Sequence, residues 1–304
     1  MGNGITKTSQ ALTSIACELL GNNVGDRVDA FLSIASRLGV SNGTVQNAFR
    51  TLESEGAVRI SGRGHQGSFI DSIDYGKLLA CAGISSVFCA MPIPYSKRYE
   101  GLASGIRFEI SRLGLKRSGM MFISGSTSRV GALMENRADG IIMSSLALQH
   151  FVNEGYPLKA LYKFPAGSYV NNHYLITSRG YDLKHARAVR VGIDEMSYDQ
   201  AAWNKICFAD KEVIPVPVHY LHVTERIKNG NIDAAVWSFE DAYFDDELSA
   251  VELHDGTLDE NTAAVFVVRS QDVGMSRFLG RNINFPNIYK VQQAVLNGEV
   301  LPDY

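Results

Sequence analysis

Two short runs in this chain of 304 residues carry residue types at spacings that recur in chemical sites. Gly62-Arg63-Gly64-His65-Gln66-Gly67 has the G-x-G-x-x-G spacing. In a βαβ unit such glycines close a strand and open a helix, and the helix's N-terminal N–H groups hold a pyrophosphate. Here Ala57-Val58-Arg59-Ile60 upstream reads as a strand, but Ser68-Phe69-Ile70 downstream is β-prone as well. The run therefore predicts the tip of a β-hairpin and no nucleotide site. His219 and His222 form an H-x-x-H pair at a strand-to-helix turn, with no cysteine or carboxylate set recognisable beside them, which argues against a metal site. His173, next to Tyr174, reads as a group that hydrogen-bonds a ligand. No G-x-S-x-G elbow, G-x-x-x-x-G-K-[ST] loop or H-E-x-x-H helix occurs. Neither a catalytic constellation nor a cofactor is expected.

Composition narrows the classes further. An apolar share of 45%, a charged share of 20% and a net charge of −3 describe a globular chain of about two domains without a global positive field, so nucleic-acid binding has to rest on a local patch. Cys17, Cys81, Cys89 and Cys207 show no C-x-x-C or metal rhythm and read as reduced thiols of a cytoplasmic protein. Residues 78–91, the most apolar run, are too short to span a bilayer and read as a core strand with its approach. No secretory signal is recognised, and no membrane association is expected.

The elements that would position these residues fall into two textures. Residues 10–20 carry apolar side chains at helical spacing, and a second helix fits 27–38. Gly39 ends it, Ser41 N-caps a third helix running to about Glu55, and Gly56 stops that one. Ala35, Gly39 and Val45 supply the small residue, the turn and the aliphatic contact that two helices crossing steeply require. With the hairpin that follows, residues 1–75 are predicted to be a winged helix-turn-helix domain: three helices plus a β-hairpin wing.

The stretch Phe31 through Val45, Leu52-Glu53-Ser54-Glu55-Gly56 and Gly62-Arg63-Gly64 resembles the GntR-type family of bacterial transcription regulators. The resemblance implies a dimer bound to a double-stranded DNA operator, with the third helix in the major groove and the wing on the backbone or minor groove. The chain departs from the family pattern where Asn42 and Gln46 replace arginines and where the wing carries the extra His65-Gln66-Gly67, so no operator sequence transfers with it. Gln46 and Asn47 have the geometry for bidentate contacts to adenine, and Arg50, Arg59 and Arg63 are candidates for phosphate or guanine. Arg37, Asn42 and Thr44 complete the candidate DNA-binding set. Six basic residues against seven acidic ones within 1–75 predict modest affinity for one copy, which two copies on a two-fold site would raise.

Residues 76–304 alternate strands and helices, as an α/β domain does. The run from Leu133 to Met143 is echoed from Ile227 to Trp237, each a helix end, an Asn-containing turn, an aspartate (Asp139, Asp233) and a buried strand. Two such units predict two similar lobes, with both aspartates capping turns. The order of elements resembles a type II periplasmic-binding-protein fold, lobe 1 spanning about 84–168 and 264–304 and lobe 2 about 169–263. Together with the head, the chain resembles the YhfZ type of regulator. In such a two-lobed α/β fold a small, anionic metabolite is expected in the cleft at the strands' carboxyl ends, where helix N-termini aim N–H groups. The candidate ligand contacts are Tyr95, Ser124, Ser126, Thr127, Ser144, Ser145, Asn172, His173, Ser197, Tyr198, Trp237 and Ser238. The combined expectation is a ligand-responsive regulator. Its rival is a lyase-like enzyme on the same fold, with the head as a regulatory or protein-contact module.

Overall fold

The structure, a computed structural model, describes residues 7–115, 117–238, 246–254 and 262–304. Along the chain the first elements are α1 (Lys7–Leu19), β1 (Arg27–Val28), α2 (Phe31–Leu38), α3 (Asn42–Ser54), β2 (Val58–Gly62), β3 (Ser68–Ile73) and α4 (Tyr75–Cys81). The turn between α2 and α3 forms as its residues dictate. Gly39 takes a left-handed φ of 65°, its N–H bonding back to Ala35 and Ser36, and the Ser41 side chain accepts from the Thr44 N–H. Ala35 and Val45 are both buried at this crossing. The glycine run closes a hairpin: β2 and β3 pair antiparallel, and a 3₁₀ turn over Gly64–Gln66 fills the tip.

Two local expectations are corrected. Arg27 and Val28 do not begin a helix but form β1, which pairs antiparallel with β3 to give the order β1-β3-β2. The open edge of β3 has N–H and C=O groups to satisfy, and Val28 is buried when it takes that place. Within residues 78–91 the strand is Phe88–Met91, and the approach to it starts in a helix: Asp74 caps α4 by accepting from the Lys77 N–H, and Leu78 and Leu79 turn inward. The compact unit that holds these elements also includes Ile110–Ser118 and Ser270–Ile283. Within it α10 (Val273–Asn282) packs on α1 so closely that a Cβ at Gly274 would lie 2.6 Å from the Cys17 Cβ.

The second compact unit contains β4 (Phe88–Met91), most of α5 (Lys97–Ser111), β5 (Gly119–Phe122), α6 (Ser126–Met134), β6 (Gly140–Ser144), α7 (Ser145–Asn153) and β7 (Leu158–Lys163). It continues through β8 (His173–Ser178), β9 (Ala188–Ile193), α8 (Tyr198–Cys207), β10 (Glu212–Pro217), α9 (Val223–Lys228), β11 (Ala234–Trp237), β12 (Leu248–Leu253), β13 (Ala264–Arg269) and α11 (Phe285–Leu296). Among the described residues these strands make two five-stranded sheets, β5-β4-β6-β13-β7 and β10-β9-β11-β8-β12. In each, the first three strands run parallel and the fourth is antiparallel to its neighbours.

The two sheets are built alike because the internal repeat is structural. Asp139 donates its N–H to the Phe88 carbonyl at 2.8 Å and accepts the Phe88 N–H on its carboxylate at 2.9 Å. Asp233 does the same to Arg190, at 2.7 and 2.8 Å. Each aspartate thus closes the start of a neighbouring parallel strand, and Asp233 also takes the Arg190 guanidinium, which holds its carboxyl below the usual range. Removing one of these caps should leave a backbone donor without a partner. Asp139→Ala is therefore expected to cost about 1–3 kcal/mol of stability, read as a lowered urea midpoint at unchanged slope. A cost within error of zero would refute the capping role.

Candidate functional sites

In the head, helix α3 sorts its side chains cleanly. Val45, Ala48, Phe49 and Leu52 are buried, while Gln46, Asn47 and Arg50 are exposed along the opposite face. Asn42 and Thr44 lie half-buried in the first turn, the Thr44 hydroxyl 2.9 Å from the Ser41 hydroxyl. Arg59 is exposed on β2, and Arg63 at the wing tip lies over the Phe69 ring, 4.6 Å from its centroid. Arg37 is engaged within the head, bonding Glu18 at 2.7 Å and Asp29 at 3.1 Å.

In the two-lobed unit a cavity of about 70 Å³ opens at the carboxyl ends of the strands. Several water-sized positions fit such a volume, which suits a small metabolite. Tyr95, Ser124, Ser126, His173, Ser197, Trp237 and Ser238 all line it. Thr127, Ser144, Ser145, Asn172 and Tyr198 do not. Thr127 is exposed, its N–H bonding the Met196 carbonyl at 3.3 Å. Ser144 is fully buried, caps α7 through the Ala147 N–H and donates to Asp199 at 2.7 Å. Ser145 sits one residue further, its N–H on the Ala263 carbonyl. Asn172 precedes β8, and Tyr198 stacks on His150 with ring centroids 3.8 Å apart.

The run 124–129 reads from the sequence as a helix start able to hold a carboxylate or phosphate, but its last residue, Arg129, is not among the individual candidate contacts. Arg129, on α6, is 2% exposed and lines the cavity. Its Nε donates to the Ile142 carbonyl at 2.9 Å, Nη1 to the Ile123 carbonyl at 2.8 Å and Nη2 to the Tyr169 hydroxyl at 3.1 Å. Each partner is a neutral oxygen, so among the described residues the guanidinium bonds no carboxylate. Burial raises the Tyr169 phenol by more than Arg129 lowers it, so Tyr169 is a neutral hydroxyl beside the arginine. A clue lay in the hydroxyl-rich run 124–129, which ends on this arginine. The period of α6 puts it on the inward face with Ser126 and Val130, which are also buried.

The second lobe contributes Asp194, Asp199, Gln200 and His219. Gln200 pins two strand ends, accepting from the Asp194 N–H at 2.5 Å and donating to the Val236 carbonyl at 3.0 Å. Of the H-x-x-H pair, His219 lines the cavity, whereas His222 approaches Glu225 at 3.7 Å, a carboxylate the sequence reading overlooked. Among the described residues no three His, Cys, Asp or Glu side chains are grouped as a metal set. His173 is shut off from water, which pushes its imidazole down to about 4, so it is neutral at pH 7 and able to donate and accept one hydrogen bond each. The thiols are all raised by burial, Cys207 to about 11, so none is a ready nucleophile.

A helix-turn-helix head followed by two sheets of this order, with a polar cavity at their carboxyl ends, defines a helix-turn-helix protein with a periplasmic-binding-protein-like domain. Residues 23–70 match a family described as helix-turn-helix domain, and residues 74–304 match the YhfZ C-terminal domain. The chain belongs to the YhfZ family. It is 32% identical over 306 residues to the uncharacterized protein YhfZ of Escherichia coli K12, covering 99% of this chain and 98% of that one. The crystal structure of YhfZ from Shigella flexneri, 29% identical, superposes with a TM-score of 0.62 over 74% of this chain and 96% of that one. The fold is shared with the periplasmic aliphatic sulphonate binding protein SsuA of Escherichia coli, at 13% identity and a TM-score of 0.51, over 71% of this chain and 75% of that one. Among the described residues no helix is long and apolar enough to cross a membrane.

Proposed function

We propose that this chain is a cytoplasmic, ligand-responsive bacterial transcription regulator. It binds operator DNA as a homodimer through the head, in the manner of GntR-type regulators, and a small metabolite with an anionic group in the cleft. The observation that carries the reading is the union in one chain of a capped α3 with an exposed Gln46-Asn47-Arg50 face and a cavity lined by the buried Arg129. Gln46 and Asn47 read adenine edges, while Arg50, Arg59 and Arg63 meet phosphate or guanine, with Asn42 and Thr44 at the helix start. Arg37 acts from behind, fixing α2 against Glu18 and Asp29.

Regulation is a shift between lobe arrangements. The Ser126 hydroxyl and Thr127 N–H of the first lobe both approach the Met196 carbonyl of the second, and His150 stacks on Tyr198, contacts that favour closure. A ligand that binds the closed form more tightly moves that equilibrium, and with it operator affinity, by its differential affinity alone.

The test is binding of the purified chain to DNA from upstream of its own gene across a salt series, beside the double variant Gln46→Ala/Arg50→Ala. Selective binding is expected, and the variant should bind roughly two to four orders of magnitude more weakly. Its salt slope should be shallower by about one for each phosphate that is no longer neutralised. Non-selective binding by a folded protein would reduce the head to a protein-contact module. The lyase-like reading would then be tested by turnover of a cleft ligand.

A further inference from the structure

The charges around the cavity do not suit a simple anion. The first lobe supplies the cation Arg129, 2% exposed and held by two carbonyls and a tyrosine hydroxyl. A guanidinium has five N–H donors, three of them are used here, and the residue lines the cavity. The second lobe supplies two carboxylates at the same wall, Asp194 and Asp199. Asp194 accepts from the Met196 N–H at 3.0 Å, and Asp199 accepts from the Ser144 hydroxyl at 2.7 Å. A bare anion docked on Arg129 would face two like charges, and a bare amine would face the arginine.

We infer that the cleft takes a small zwitterion of the amino-acid class, its acid group on Arg129 and its ammonium on Asp194 and Asp199. This rests on the reading of the cleft as a ligand site and narrows it. The requirement for both ends is also what couples ligand to closure. The arginine comes from one lobe and the aspartates from the other, so a molecule carrying both charges gains its full electrostatic complement only when the lobes meet. An acid alone leaves the second lobe's carboxylates opposed to it. The aromatic side chains Tyr95, Tyr99 and Trp237 leave an apolar and hydroxyl-lined wall for the ligand's side chain.

The experiment is thermal unfolding of the full chain with the proteinogenic L-amino acids, each beside its 2-hydroxy-acid and decarboxylated-amine counterparts, since a ligand of the folded state raises Tm. At least one amino acid should raise Tm, with both counterparts weaker by about tenfold or more in half-maximal concentration. Asp199→Asn should erase the preference for the amino acid over the hydroxy acid, and Asp194→Asn serves the same purpose if the first variant does not fold. A hydroxy acid that stabilises as well as its amino acid would overturn the zwitterion while leaving an anion-binding cleft standing. No shift from any acid, amino acid or amine would reject both.

Discussion

Replacing Gly105 by leucine should destabilise the two-lobed unit more than removal of either aspartate cap. A Cβ at Gly105 would lie 2.7 Å from the Ile288 carbonyl oxygen and 2.9 Å from its Cα, and one at Gly101 would lie 2.9 Å from the Gln292 Cα. These are backbone atoms, so α5 and α11 would have to separate, and nothing nearby can rotate away. The cost is expected at or beyond the upper end of overpacking, about 3 kcal/mol or more. The damage should reach the cleft, because the Gln292 amide at this contact donates to the carbonyls of Arg98 and Ser168, at 3.0 and 2.7 Å, beside Tyr99 and Tyr169. Urea unfolding of Gly105→Leu measures the cost. Gly131→Ala provides the contrast, since Gly131 is helical with open space at its Cβ position, and it should gain up to about 1 kcal/mol from reduced unfolded-chain entropy. Equal effects of the two variants would show that the close helix contact does not exist in solution.

Acid should weaken the fold through His173. The folded imidazole titrates at about 4 against 6.5 when exposed, because burial penalises the cation. Above pH 6.5 both states are neutral and the group contributes nothing to the pH dependence. As pH falls below 6.5 the unfolded chain takes up a proton that the folded chain refuses, so stability declines until pH 4, where the folded state protonates too. The loss attributable to this residue is about 2 kcal/mol by pH 5 and about 3 kcal/mol by pH 4. Unfolding free energies of the wild type and His173→Gln, measured at pH 7.5 and pH 5, should differ in pH dependence by that amount. The same decline in both proteins would place the titrating group elsewhere. The neutral ring also bears on binding, since it brings no second cation to the cavity beside Arg129.

The features legible in the sequence are those whose cause is local. The turn at Gly39, the cap at Ser41 and the hairpin at residues 62–67 each depend on a few neighbouring residues, and each forms where its residues call for it. Asp139 and Asp233 were legible as an equivalent pair, because a repeated run carries its contacts with it, but where turn caps were expected both aspartates bond the backbone of a neighbouring strand. Where the reading failed, a distant partner decided. Arg27 and Val28 have a composition that fits the start of a helix, yet the free edge of β3 recruits them as a strand. Ser144 and Tyr198 fit a ligand site by type and position, yet Asp199 and His150 occupy them.

By itself, then, the sequence determined a three-helix head with a wing, two lobes of one plan, and hydroxyl-rich strand ends facing a common opening. Those follow from periodicity, caps, turn residues and an internal repeat, all set by interactions within a few residues along the chain. The electrostatic character of the cavity was decided only in the tertiary structure. Arg129 lies 65 positions before Asp194 and 70 before Asp199 in the chain. What brings them to one cavity is the pairing of strands in two separate sheets, and what buries Arg129 is packing, not its neighbours in sequence.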